Sequence, residues 1–257
     1  MDWTIACLGL LVGLLVGLTG VGGAALLTPL LVMIGIHPSI AVGTDLFYNS
    51  ITKLFGTFQH WRQRTVNLTL VRYLAIGSIP GAVCSIILLK VFDSFFQDSE
   101  TFLKHTLGIV LIIASLATLL KPLFKFRQPP ADEAGDGLSI YQAKRKQVVG
   151  IGFVLGFIVG MTSIGSGSLF ALAMLYLFRM KASEIVGTDI AHAFLLVTVA
   201  GLLHASFGNV DFVLAGNLLV GSIPGVLVGS RLSARIPAVP LRTAMAGIIL
   251  LSGLKMI

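Results

Sequence analysis

The chain is poor in charge. Asp, Glu, Lys and Arg make up only 11% of its 257 residues, against about 25% in soluble domains. Hydrophobic residues reach 56%, and the mean hydropathy is +0.96. That leaves too little polar surface to cover a soluble globule, so the chain belongs in a lipid bilayer. Acidic residues are scarcer than basic ones, 11 against 18, for a formal net charge of +7. The cations sit mainly at the ends of apolar runs and form no single stripe, which argues against a nucleic-acid-binding face. Cysteine is nearly missing. Cys7 and Cys84 lie in apolar runs without ligand spacing, which argues against a cysteine metal site, and both read as packing residues. The opening Met1-Asp2-Trp3 has no basic start, and no small-residue cleavage pattern precedes the first glycine break. The first apolar run therefore reads as a retained span.

Repetition is abundant. Gly77-Ser78-Ile79-Pro80-Gly81 recurs letter for letter as Gly221-Ser222-Ile223-Pro224-Gly225, 144 residues later. At the same interval Gly43-Thr44-Asp45 recurs as Gly187-Thr188-Asp189, and His60 as His204. The chain is one unit written twice, with a one-residue slip near residue 40. A doubled, apolar chain with polar motifs inside its spans reads first as a secondary transporter.

Ten apolar segments follow from the hydropathy pattern: 3–19, 23–36, 39–60, 68–91, 102–124, 147–163, 167–179, 183–206, 212–234 and 240–257. A full span needs about 20 residues. Segments 2 and 7 are shorter, and each follows a glycine/serine break: Gly20-Val21-Gly22-Gly23 and Ser163-Ile164-Gly165-Ser166-Gly167-Ser168. Irregular backbone at membrane depth survives where it lines a cavity. The expected fold is an all-α polytopic membrane protein of 8–10 transmembrane helices, with segments 2 and 7 short or re-entrant. It divides into a first repeat over 1–124, a polar linker over 125–146 and a second repeat over 147–257. Five segments per repeat is odd, so the second copy is inverted relative to the first. Loop charge sets the orientation. With the N-terminus outside, Arg62, Arg64, the linker, Arg179, Lys181, Arg231, Arg235 and Arg242 fall in the cytoplasm. Asp93, Asp98, Glu100 and Asp211 fall outside, as the positive-inside rule requires.

With these motifs in view, the chain resembles the TauE/SafE family of sulfite and organosulfonate exporters. The carrying residues in the first half are Gly17-Leu18-Thr19-Gly20-Val21-Gly22-Gly23-Ala24, Thr28-Pro29, Ala41-Val42-Gly43-Thr44-Asp45 and His60-Trp61. In the second half they are Gly160-Met161-Thr162-Ser163-Ile164-Gly165-Ser166-Gly167, Val186-Gly187-Thr188-Asp189, His204 and both Gly-Ser-Ile-Pro-Gly motifs. The resemblance implies a plasma-membrane carrier that exports a small sulfur-containing anion, such as sulfite, sulfoacetate, thiosulfate or a related sulfonate.

An oxyanion entering the bilayer must have its lost water replaced. Free N–H groups at helix N-termini have the right dipole, and glycine permits close approach. Gly22, Gly23, Ser166 and Ser168 open the short segments, and Thr19, Thr162 and Ser163 add hydroxyls. The alternative for all of them is tight turning and close packing. In segment 3, Asp45, Asn49 and Lys53 fall at i, i+4 and i+8, drifting about 40° per step. A lysine at this depth faces a partner or a cavity. It either offsets the anion's charge or is locked to a carboxylate. Its counterpart in the second repeat is Val197.

Asp45 and Asp189 read as caps or interhelical hydrogen-bonding groups, with ion or proton coupling as the sharper alternative. His192, one turn after Asp189, would complete a titratable pair. His60 and His204 read as interface anchors at opposite ends, or as gates. Arg72 either snorkels to the cytoplasmic surface or draws anions inward. Pro80 and Pro224 are expected to bend segments 4 and 9, as packing devices or hinges. No catalytic residue, metal or organic cofactor is expected. The partners are the bilayer and the anion, with an oligomer compatible. A channel or cation exchanger is the alternative, although the stripe contains a lysine where clustered acids would be needed. An intramembrane aspartyl protease lacks its Tyr-Asp and Gly-x-Gly-Asp motifs, and a purely structural membrane protein leaves the polar stripe without a role.

Overall fold

The computed structural model describes residues 3–19, 24–95, 99–120, 144–178, 180, 182–233 and 238–257. These residues form ten helices: α1 (Trp3–Thr19), α2 (Ala24–Met33), α3 (Pro38–Arg62), α4 (Leu68–Phe95), α5 (Ser99–Leu120), α6 (Arg145–Thr162), α7 (Ser168–Leu177), α8 (Ala182–Ser206), α9 (Phe212–Ser233) and α10 (Ala238–Met256). The ten expected segments are all present, each within a few residues. Linker residues 125–143 and the break at 20–23 lie outside the described residues.

Local chemistry sets several ends. Pro38 opens α3, where its missing N–H costs nothing. Asn67 Oδ1 accepts the Leu70 N–H at 3.2 Å at the start of α4, and Asp211 Oδ1 accepts the Leu214 N–H at 2.9 Å at the start of α9. Helix α6 ends on Ser163, whose φ of 60° turns the chain out of the helix.

Among the described residues, four helical stretches are long and apolar enough to cross a membrane: Leu68–Phe92, Arg145–Thr162, Ser183–Ser206 and Phe212–Gly229. Trp3–Leu18, Thr101–Leu116 and Ala246–Met256 are shorter apolar helices. Large apolar side chains such as Phe55, Val213 and Leu251 point outward, as a lipid-facing surface requires.

Helix α1 lies along α9, α4 along α6, α3 along α8 and α5 along α10. Both Gly-Ser-Ile-Pro-Gly motifs sit inside unbroken helices, so neither makes the turn that their composition suggests. Their prolines are exposed on the outer side, while their inner residues form the closest contacts of the fold. A Cβ on Gly13 of α1 would strike the Ser222 carbonyl, and a Cβ on Gly156 of α6 would strike the Ser78 carbonyl. Backbones this close exclude any larger residue. Cys7 and Cys84 are exposed, which corrects their reading as packing residues. In a bilayer the outer surface is itself apolar, so an apolar neighbourhood in sequence does not imply burial.

The helix ends sort into two faces. At one, Lys144 Nζ donates to the Leu177 carbonyl at 2.6 Å. There too the Arg145 guanidinium lies 5.5 Å from the Tyr73 ring, and Asn67 Nδ2 donates to Glu184 at 3.2 Å. The α3–α4 loop, the start of α6, the end of α7 and the start of α8 therefore share this end. At the other, the Asp211 N–H donates to Thr44, and Lys90 Nζ lies 4.5 Å from the Phe207 ring. Because the start of α6 meets the end of α7, these two helices form a hairpin that returns to the end it left.

Candidate functional site

The site is assembled on α3. Asp45 is fully buried, Asn49 nearly so, and Lys53 is 8% exposed, so the predicted stripe does point inward. The Asp45 carboxylate accepts from Thr28 Oγ1 of α2 at 2.6 Å, Ser163 Oγ at 2.9 Å and Asn49 Nδ2 at 2.6 Å. It thereby ties α2 to the loop between α6 and α7. Two turns further along α3, Lys53 Nζ donates to the Ser166 carbonyl at 2.6 Å and lies 3.1 Å from Ser166 Oγ. Both ends of the irregular 163–166 loop are thus held from one helix face. An ammonium carries three protons, and these two oxygens engage no more than two of them.

Two carboxylates lie within electrostatic reach of Lys53: Asp189 most strongly, then Asp45. His192 of α8 is buried in the same field. Its Nε2 lies 2.8 Å from Ser78 Oγ, its ring centroid lies 4.4 Å from that of Phe170, and its Nδ1 has no hydrogen-bond partner among the described residues. The matching residue on α3 is Tyr48, hydrogen-bonded to Ser222. One serine of each pentapeptide therefore reaches the helix that crosses the centre.

Of the other expected site residues, those whose side chains are described fall elsewhere. Thr162 uses its hydroxyl locally: it donates to Ile158 at 2.7 Å and accepts from the Ile164 N–H at 3.2 Å. Thr19 ends α1 and Ser168 opens α7, but their side chains are not described. Gly22 and Gly23 lie outside the described residues. His204 is buried near the Asp211 end, its Nε2 donating to the Gly160 carbonyl at 3.1 Å. His60 lies near the opposite end, half-buried, with Nδ1 2.9 Å from Thr65 Oγ1. Arg72 is exposed in the second turn of α4. Thr162, His204, His60 and Arg72 do not join the cluster around Lys53, and neither do Pro80 and Pro224. Among the described residues no group of three His, Cys, Asp or Glu could hold a metal ion.

Thr28 escaped the sequence reading, although Thr28-Pro29 was visible as a motif. Its signal is a hydroxyl inside an otherwise apolar helix. Thr44 and Thr188, which precede the two aspartates, were also passed over.

Comparison with known proteins agrees with this architecture. The family described as sulfite exporter TauE/SafE matches residues 5–256. A Bacillus subtilis (strain 168) protein, described as "Probable membrane transporter protein YjnA", is 61% identical over 257 residues, covering all of both chains. YunE, a relative from the same organism with the same description, is 29% identical over 90% of this chain and 87% of its own length. One from Methanocaldococcus jannaschii, MJ0441, is 24% identical over 97% of this chain and 92% of its own. No solved structure gives a significant match. The family is one of transporters, not of enzymes, and the chain, a multi-pass membrane protein, belongs to the TauE/SafE sulfite exporter family.

Proposed function

We propose that the protein exports a small sulfur-containing oxyanion or organosulfonate by alternating access, with Lys53 as the fixed positive charge presented to it. The observation that carries this reading is the Lys53 contact with Ser166. It places a buried ammonium against the loop that opens α7, where unpaired backbone N–H groups also favour an anion. Asn49, Ser163 and Ser166 complete the described part of the site; Gly22, Gly23, Thr19 and Ser168 are assigned to it by their place in the sequence motifs.

The reading includes two inverted five-helix halves. Supporting it, the α1–α9 and α4–α6 pairs exchange under the repeat, as do the contacts of Gly13 with Ser222 and of Gly156 with Ser78, at an interval of 143 residues before the slip near residue 40 and 144 after it. The α6–α7 hairpin is then re-entrant from the cytoplasm, with the N-terminus outside. The cell membrane is the site of action, and the linker faces inward. A thiol probe on Ser139→Cys would be labelled from the cytoplasmic side; labelling only from outside overturns the orientation.

Flux of labelled sulfite, sulfoacetate, thiosulfate and sodium into proteoliposomes tests the cargo. One of the sulfur anions is expected to move. Lys53→Met should lower its apparent affinity by roughly 10- to 100-fold, the size of a charge-assisted hydrogen bond. Lys53→Arg keeps the charge but changes its shape. Wild-type transport in Lys53→Met would make the lysine structural. The two carboxylates beside Lys53 favour one second reading, a cation exchanger, and sodium movement in the same vesicles would establish it.

A further inference from the structure

The repeated Gly-Thr-Asp motif is only partly used by the site. Its aspartates face the centre, but its threonines face the ends. Thr44 Oγ1 accepts the Asp211 N–H at 3.1 Å, and Thr188 Oγ1 accepts the Asn67 N–H at 3.0 Å. Asp211 and Asn67 are the N-caps of α9 and α4, so each threonine holds the loop that leads into a helix of the other half. The preceding glycines permit it: a Cβ on Gly43 would strike the Asn209 carbonyl, and one on Gly187 would strike the Thr65 carbonyl. Both threonines are fully buried. The two bonds lie at opposite ends of the bundle, each one residue away from a buried aspartate.

We infer that Thr44 and Thr188 are the two gating residues of the carrier, each latching one end of the central site. In this structure both latches are closed, and Asp45, Asn49, Lys53 and His192 between them are buried. Opening either end requires its loop and the threonine to part. The next residue on the threonine's helix is the buried aspartate, which links each gate to the site. Alternating access demands that the two bonds break in turn and never together. This inference rests on the alternating-access reading, but not on the identity of the anion.

The test measures accessibility separately from transport. Cys7 and Cys84 are first replaced by Ala, and Ala193 on the buried face of α8 is changed to Cys as the reporter. In oriented proteoliposomes an impermeant maleimide is applied to one side at a time. Thr44→Val should speed labelling from the Asp211 side and slow it from the Asn67 side, and Thr188→Val should do the reverse. The expected change is about fivefold, the weight of one neutral hydrogen bond. Thr44→Ser and Thr188→Ser keep the hydroxyl and should restore wild-type rates, which a loss of packing would not allow. If both valine variants change the same side, or neither changes any, the gates are elsewhere. Labelling as expected without sulfite flux leaves the gates standing and removes sulfite as cargo. Normal sulfite flux with unchanged labelling does the opposite.

Discussion

Helices α3 and α8 are the same length and pack against each other, yet only α3 carries a buried lysine. Along α3 the inward positions read Asp45, Tyr48, Asn49 and Lys53; along α8 they read Asp189, His192, Ala193 and Val197. The first pair of positions stays polar in both helices, and Tyr48 and His192 each have a serine of the other half's pentapeptide as partner. The second pair is polar only on α3. The backbone framework therefore obeys the repeat while the charge does not. A close interhelical fit between two copies needs matched small residues on both sides. Under the proposed transport, a cargo bound at one central point needs only one cation, and a second one there would be repelled by the first.

Three experiments sharpen that comparison. The largest effect belongs to the shared framework. Gly13→Leu and Gly156→Leu should each prevent folding or cost more than about 3 kcal/mol, by forcing a side chain into a neighbouring backbone. Gly150→Ala, with nothing within 4 Å of its Cβ, should leave the melting temperature unchanged. Unequal losses at Gly13 and Gly156 would show that the two halves do not pack alike.

Next comes the clamp peculiar to the first half. Asp45→Ala strands three buried donors, those of Thr28, Ser163 and Asn49, and should cost about 3–5 kcal/mol in thermal unfolding. Thr28→Val should cost about 1–2 kcal/mol. The second half has Ala171 in the corresponding place, and Ala171→Thr should bring no compensating gain.

The smallest effect separates the two ends. Asn67 also bonds Glu184, a contact with no counterpart at Asp211, because the residue matching Glu184 is Ile40. Glu184→Ala should therefore speed labelling of the Ala193→Cys reporter from the Asn67 side by less than Thr188→Val does, about twofold. An equal or larger effect would mean that the Asn67–Glu184 hydrogen bond, and not the threonine, holds that end.

The ten helices were legible because membrane spans announce themselves by length and by the glycine breaks between them. The inward direction of Asp45, Asn49 and Lys53 was legible from their spacing alone. Their partners were not. Lys53 meets Ser166 and Asp45 meets Ser163 across more than a hundred residues, and no local pattern says which hydroxyl a buried charge will find. Proline ends neither helix: α4 and α9 run through Pro80 and Pro224, which membrane helices tolerate where neighbouring groups satisfy the freed backbone.

The Lys53–Ser166 contact also sets a schedule for synthesis. The two residues lie 113 positions apart, so at ribosomal rates of about 5–20 residues per second Lys53 exists for roughly 6–23 s before Ser166 is made. During that interval Lys53 on α3 lacks its Ser166 partner and the second half that buries it. The first five helices must then either wait beside the insertion machinery or stay loosely assembled at the bilayer surface. The protein becomes a sealed object only when its last half arrives.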